Sequence, residues 1–430
     1  MRTSSFRGLI TFIFLCMSAQ TIAGYRTLLD PRSMAMGGTG AAAATKFNAS
    51  LHNPALIAFN RGSKPDRLYL SASMGARELY NTDWEESLNN FQDSNIVQDY
   101  DRLANPSSSD AAEVRDVIRQ MNLEGYRKDE TTVFNLLVDT RPVTINFYTR
   151  RDIREMTTIL NKDEEQFATL INGLNGGAPA VGTLEERLTS TVDNTYVDIS
   201  EFGVTVATTN VISYNMPISW GFTPKLVEIR GSHRAESINT YNPRNPPDKQ
   251  VSRDFLEWNV DLGFSMLMTE SFMREELGLS GPILDGEWIF SFVGMNMIPT
   301  DFTPYRPENA SRTGPYPGTA RAVQALYQFG VAHYRQNYML TMDIDLSENE
   351  VYDFEGLTRF LSFGGEYFLR DDFHLRAGMR INMAQTSEAA KDKAILTGGF
   401  LYQPHGFSIE AAAMINEVEI GGTVGLGYAF

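Results

Sequence analysis

Apolar and polar residues alternate with a period of two in many short runs of this chain. That period turns one face of a strand toward lipid or core and the other toward water. The last run is the clearest: Ile420, Gly422, Val424, Leu426, Tyr428 and Phe430 fall on one face, and Gly421, Thr423, Gly425, Gly427 and Ala429 on the other. The same alternation recurs in Leu68–Met74, Val143–Tyr148, Phe202–Ala207, Trp258–Met266, Tyr338–Leu346 and Phe373–Ile381. The predicted strands are 66–76, 131–139, 142–150, 195–209, 217–229, 255–268, 286–297, 321–334, 337–346, 358–368, 373–383, 394–403, 406–414 and 420–430. They number fourteen, an even count, as closed bacterial barrels require.

The connections supply a second test. Thr140-Arg141, Arg335-Gln336, 369–372 and Pro404-His405 are short, whereas 77–130, 151–194, 230–254, 298–320 and 347–357 are long. Strict alternation of short turns and long loops is what a membrane barrel with periplasmic turns and external loops shows. Only 269–285 breaks the parity, being too long for a turn. Both termini are then expected on the short-turn, periplasmic side. Two long loops carry helical patterns. Val114, Val117, Ile118 and Met121 follow one, with Asp110 and Glu113 resembling a capping box. Phe167, Leu170, Ile171 and Leu174 follow the other, stopped by Gly176 and Gly177. The expected fold is therefore all-β: a transmembrane antiparallel barrel of about fourteen strands, with helical extracellular loops and material at the N-terminus for a plug. A soluble exported β protein is the alternative, and full charges on the outer face would favour it.

Residues 1–23 read as a secretory signal: Arg2 and Arg7, an apolar run from Leu9 to Met17 too short to span a bilayer, and Thr21-Ile22-Ala23 before the expected cut at Gly24. The sole Cys, Cys16, lies within it, so the mature chain is expected to hold no disulfide and no Cys-based metal site. Loss of two Arg and no acid takes the net charge from −16 to −18. Such an acidic chain has no basic face for nucleic acid. Apolar residues make up 42% and charged residues 21%, and no stretch after residue 23 has 18 consecutive apolar residues, which excludes helical spans but not a barrel, whose strands average to mild hydropathy.

Residues 24–60 have few strand signals and no long helix, and are rich in small residues, from Met34-Ala35-Met36-Gly37-Gly38-Thr39-Gly40 to Ala44. Small residues let backbone pack closely in a confined space. The glycines do not match a phosphate loop, since no Gly-Lys-Ser/Thr follows. Arg32-Ser33-Met34-Ala35-Met36-Gly37-Gly38-Thr39-Gly40, followed by His52-Asn53-Pro54-Ala55-Leu56, resembles the start of the conjugal transfer TraF-like outer-membrane family, which is related to the long-chain fatty acid transporter (FadL-like) barrels. Leu88–Asp93 and Trp220-Gly221-Phe222-Thr223-Pro224-Lys225-Leu226 carry the same resemblance, which runs from about 25 to 430. It implies a hatch containing Gly37, Gly38, Gly40, Asn53, Pro54 and Ala55, and a division into signal 1–23, hatch or plug 24–60 and barrel 61–430. It implies a path for small hydrophobic molecules, or alternatively an accessory role in plasmid conjugative transfer without transport.

With the apolar faces in lipid, Asp343, Asp345, Glu366, Arg376, Arg380 and Glu410 are expected to point into the lumen, as a solute-selecting lining or as a salt-bridge network that stiffens it. Tyr428 and Phe430 resemble the C-terminal signal read by barrel-insertion machinery. Trp220, Trp258, Trp288 and Tyr428 are candidates for aromatic girdles at the lipid boundary. The histidines, at 52, 233, 333, 374 and 405, are scattered, and no His-Glu-x-x-His or Gly-x-Ser-x-Gly is present. No catalytic residue, metal site or cofactor is expected. The expected location is the bacterial outer membrane, with lipid, the insertion machinery and a small hydrophobic ligand as partners.

Overall fold

The structure is a computed structural model that describes residues 22–23, 30–59, 68–81, 83–122, 124–140, 142–177, 183–213, 216–243, 254–279, 281, 284–298, 325–350, 357–384 and 394–430. Its wall consists of β1 (Leu68–Asn81), β2 (Gly125–Asp139), β3 (Val143–Leu160), β4 (Thr191–Ser213), β5 (Met216–Ser237), β6 (Asp254–Met268), β7 (Glu287–Met295), β8 (Leu326–Tyr334), β9 (Tyr338–Asp345), β10 (Phe360–Arg370), β11 (Phe373–Asn382), β12 (Ile395–Tyr402), β13 (Phe407–Ile415) and β14 (Glu419–Ala429). Each pairs antiparallel with the next, and β14 pairs with β1, closing a barrel of fourteen strands. Closure leaves no edge, which a sheet in lipid could not tolerate, since nothing there satisfies free N–H and C=O groups.

Alternation in the sequence located all these strands but not their upper ends. β2 begins at Gly125 and β3 runs to Leu160, well beyond the expected 131 and 150. In those extensions both faces mix charged and apolar residues, Arg151 sharing one face with Ile153 and Arg154 the other with Met156, so the period-two hydropathy signal stops while the hydrogen-bond ladder continues, Asp129 opposite Arg154 and Lys128 opposite Glu155. β4 and β5 reach 23 and 22 residues, against 8 to 11 in β7 to β14, so the wall is tall on one side and low on the other. Residues 66–67 and 321–324 of the expected strands lie outside the described residues.

The short turns gather at one end, with Leu68 and Phe430 joined there through Phe430 N–H donating to Leu68 O at 3.0 Å. The long 269–285 connection at this end contains a π-helical turn, Phe272–Glu276. Asp285 braces it, accepting from Arg274 at 2.5 Å and from Arg335 of the β8–β9 turn at 2.7 Å. At the opposite, long-loop end, Ile22–Ala23 lies parallel to Glu348 and Asn349 of the β9–β10 connection, away from the short-turn side expected for the N-terminus.

At the opposite end sits a cap of helices: α3 (Trp84–Ser94), α4 (Ile96–Arg102), α5 (Ser108–Gln120), α6 (Glu164–Asn175) and α7 (Leu184–Arg187), after two short helices near the N-terminus, α1 (Pro31–Ala35) and α2 (Ala49–His52). Leu88, Phe91, Val114, Ile118 and Phe167 share a core with Ile159, Val192, Ile238 and Tyr241 from the tall strands and their ends. The cap is therefore packed onto the wall through its own apolar stripe. The capping box of α5 is one turn earlier than the expected Asp110–Glu113: Ser107 is the N-cap and Asp110 the third residue, each bonding the other's backbone N–H. The helix starts at Ser108, so only Asp110 stands at the position that reaches back. α6 ends at Gly176 as the sequence indicates, with Gly177 at φ +77°.

Outside, Met74, Phe202, Trp220, Leu340, Leu375, Val424 and Leu426 are all exposed, while their strand neighbours are buried or half-buried toward the interior. Such a surface is at rest only in hydrocarbon.

Candidate functional site

The interior is occupied by residues 30–59. Asp30 caps α1, accepting from Ser33 N–H at 3.1 Å, with Pro31 at the first helical position where its missing N–H costs nothing. After Met36 the chain turns through Gly37 and Gly38, at φ +70° and +89°, where only glycine is free of strain. Asn53 caps the 3₁₀ turn Pro54–Ala58, its Oδ1 accepting from Ala55 N–H at 3.0 Å. Two buried side chains tie the ends of the segment together, His52 Nε2 lying 2.5 Å from Asp30 Oδ2 and Asn48 donating to Asp30 at 2.8 Å. Gly40 lies against the His52 ring, where a Cβ would come within 2.3 Å of Nδ1.

Contacts to the wall come from all around it. Gly40 and Ala41 N–H groups donate to Asp343 Oδ2 on β9 at 2.6 and 2.7 Å. Asn53 Nδ2 donates to Ser265 Oγ on β6 at 3.0 Å, and Ser219 on β5 donates to Ala55 O at 2.6 Å. Gly37 N–H donates to Thr397 on β12 at 2.9 Å, and Lys46 pairs with Asp139 on β2 at 2.9 Å. Inward glycines of the wall allow this approach: a Cβ at Gly378 would lie 2.3 Å from Gly37 N, and one at Gly221 2.4 Å from Pro54 C. None of residues 30–59 joins the barrel's strand ladders.

The six charged residues singled out from the sequence fall on the inner face, buried except for half-buried Glu410. Four of them divide into two groups. Glu366 receives Arg376 at 2.8 Å, His374 Nδ1 at 3.1 Å and, from the interior segment, Arg32 at 2.7 Å, while Arg376 also bonds Glu410. Arg380 instead belongs to a higher cluster, donating to Glu419 at 3.2 Å. That cluster holds Arg77 between Glu419 at 2.8 Å and Asp129 at 2.6 Å, with Arg127 and Arg154 on the same Asp129 at 3.1 and 2.8 Å. Asp345 accepts from Gln328 at 2.7 Å and from Phe360 N–H at 2.9 Å, which fixes the start of β10. A further triad, Lys225 with Glu201 at 3.4 Å and Asp261 at 3.0 Å, lies across β4, β5 and β6. Arg32, Lys225 and the Arg77–Asp129 cluster are not among the inward charges expected from the sequence, although Arg32 and Lys225 stand in the stretches that carry the family resemblance. Lys225 shares the inward parity of Ser219 and Thr223 and could have been found from it. Arg77 and Asp129 lie past the end of the apolar alternation, where parity has no anchor.

Tyr428 and Phe430 are exposed on the outer wall at the short-turn end, their rings 4.7 Å apart edge to face. Trp220 and Trp258 also face outward, whereas Trp288 is half-buried against His333 at 4.4 Å. Among the described residues no cluster of three or more His, Cys, Asp or Glu is arranged to hold a metal ion.

A closed antiparallel barrel, apolar outside and polar within, defines an outer-membrane β-barrel protein, and this chain is one. The family model described as "F plasmid transfer operon, TraF, protein" matches residues 50–281, more than half of the chain, and the chain belongs to that family. No curated protein matches. Among solved structures it is similar to a mutant of the monoaromatic hydrocarbon channel TodX, with 10% identity and a TM-score of 0.47 over 95% of this chain and 99% of that one. It is also similar to a FadL homologue of Pseudomonas aeruginosa, with 10% identity and a TM-score of 0.45 over 95% and 100%. The Ralstonia pickettii toluene transporter TbuX aligns with 11% identity and a TM-score of 0.36 over 95% and 99%.

Proposed function

We propose that this outer-membrane barrel binds or passes small hydrophobic molecules, with residues 24–60 as a hatch in the barrel 61–430. The observation that carries this reading is the way residues 30–59 are seated. They meet the wall through separate hydrogen bonds, two ion pairs and close glycine contacts, and share no strand ladder with it. Such a segment can shift while every hydrogen bond of the wall stays made. The hydrophobic class of ligand follows from the resemblance to the fatty acid transporter barrels. In the same reading residues 1–23 are removed on export, the apolar outer face contacts lipid, and the strand ending at Phe430 is the one the insertion machinery takes up. No catalytic step is assigned.

An accessory role without transport is the second reading. It is favoured by the way the inward charges pair with one another, which fills and stiffens the lumen instead of lining a passage. Uptake of a labelled fatty acid into liposomes separates the two. The hatch reading expects slow uptake by the full barrel and faster uptake when residues 24–60 are removed, with the heat-modifiable gel shift of a folded barrel retained. A folded barrel that takes up nothing in either form supports the accessory role and overturns transport.

A further inference from the structure

On the outer wall, above the apolar belt and beneath the helical cap, lies a second concavity unconnected with the hatch. Tyr80 of β1 and Tyr126 of β2 are register partners, and their rings stand 5.0 Å apart at 44°. With Trp84, Asp83, Glu85, Glu86 and Asn89 they line a cavity of about 790 Å³. Glu78 accepts from Tyr80 Oη at 2.9 Å. A phenol that donates to a carboxylate carries more electron density on its ring face. Trp84 is itself buried, braced by Tyr241 at 6.4 Å, so this wall of the cavity is fixed by the core of the cap. No Lys, Arg or His is among the lining residues, and nearby Lys128 is paired with Glu130 at 2.6 Å.

We infer that this cavity binds an organic ammonium group, of the size and charge of choline. The aromatic walls discriminate between classes of cation. A small hard ion takes a shell of six or more oxygens and gains little from a ring face. A methylated ammonium is poorly hydrated and is attracted to the ring quadrupole, and carboxylates at the rim add long-range attraction. Such a group has two sources, a free solute or a lipid head group.

Calorimetric titration of the detergent-purified barrel with choline tests this. Saturable binding is expected, absent for the neutral isostere 3,3-dimethyl-1-butanol. Tyr126→Ala should weaken it at least tenfold and Tyr126→Phe much less. Glu85→Gln, on the exposed first turn of α3, should weaken it several-fold without touching the wall. Retention of the heat-modifiable gel shift shows that each variant is folded. In nanodiscs, suppression of choline binding by phosphocholine lipid but not by phosphoglycerol lipid identifies a head-group site, and equal binding in both identifies a solute site. No saturable binding by the unaltered barrel, equal binding of the neutral isostere, or full binding by a folded Tyr126→Ala barrel overturns the inference.

Discussion

Glu366 is the residue on which the interior segment and the wall meet most directly. It is buried and surrounded by Arg32, His374 and Arg376. Removing one partner of a buried charge group leaves the others uncompensated, at a cost of about 3–5 kcal/mol. Glu366→Ala should lower the denaturation midpoint of the refolded barrel accordingly. Replacing Arg32 and Glu366 together by Met should recover part of the loss, since that removes one stranded charge, although Arg376 keeps only Glu410. Gly378 is a steric counterpart. A Cβ there would meet Gly37 N at 2.3 Å, and neither backbone can yield cheaply. Gly378→Ala should loosen residues 30–59 by about 1–3 kcal/mol. The readout is faster cleavage of that segment by added protease while the barrel's gel shift persists. Sequence reading singled out Glu366 and Arg376 from parity alone. It could not supply Arg32, because sequence separation says nothing about which of many buried acids a distant arginine meets.

At the scale of the element, α5 depends on local chemistry. Ser107→Ala removes the acceptor for Asp110 N–H and should cost the helix about 1 kcal/mol, seen as reduced amide protection over Ser108–Val114. The pH dependence has a definite sign. Hydrogen bonds from the Ser107 backbone and side chain hold the Asp110 carboxyl below its ordinary 3.8. Its contribution is therefore present above that value and lost as pH falls through the lowered one. Amide exchange of α5, referenced to α6, should rise as the pH falls below 3.8, and Asp110→Asn should remove that dependence. The strands tell the complementary story. Their membrane portions were legible because lipid on one side and packed polar groups on the other impose a period of two. The upward extensions of β2 to β5 were not, because above the lipid charged and apolar residues share each face, and pairing with the next strand and packing under the cap hold them extended. The helices α3 and α4 were missed for a related reason: their short apolar stripes find a partner only in the shared core of the cap.

For the whole molecule, the membrane is the solvent that makes this surface stable. Val424 is exposed at the middle of β14 and Tyr428 near its lower end. An arginine costs about 2–4 kcal/mol at the bilayer midplane and about 0–1 near the interface. Val424→Arg should therefore lower folding stability in lipid vesicles by the larger amount and Tyr428→Arg by the smaller. Equal costs would contradict the placement of the lipid belt. Deletion of Phe430 probes a different stage. It removes an outward ring and the Phe430–Leu68 hydrogen bond at the closing seam, and should reduce assembly in cells more than stability of the barrel once formed.

The sequence by itself determined the wall. Period-two alternation, the parity of connection lengths and an even number of strands are local properties of the chain, and lipid enforces them strand by strand. It also shows few strand signals over residues 24–60. Only the tertiary structure decided what the wall encloses. The interior is built from pairs such as Arg32 with Glu366 and Gly40 with Asp343, more than three hundred residues apart in sequence. Those meetings follow from closure of the barrel, which brings distant inward faces together, and no local pattern records them.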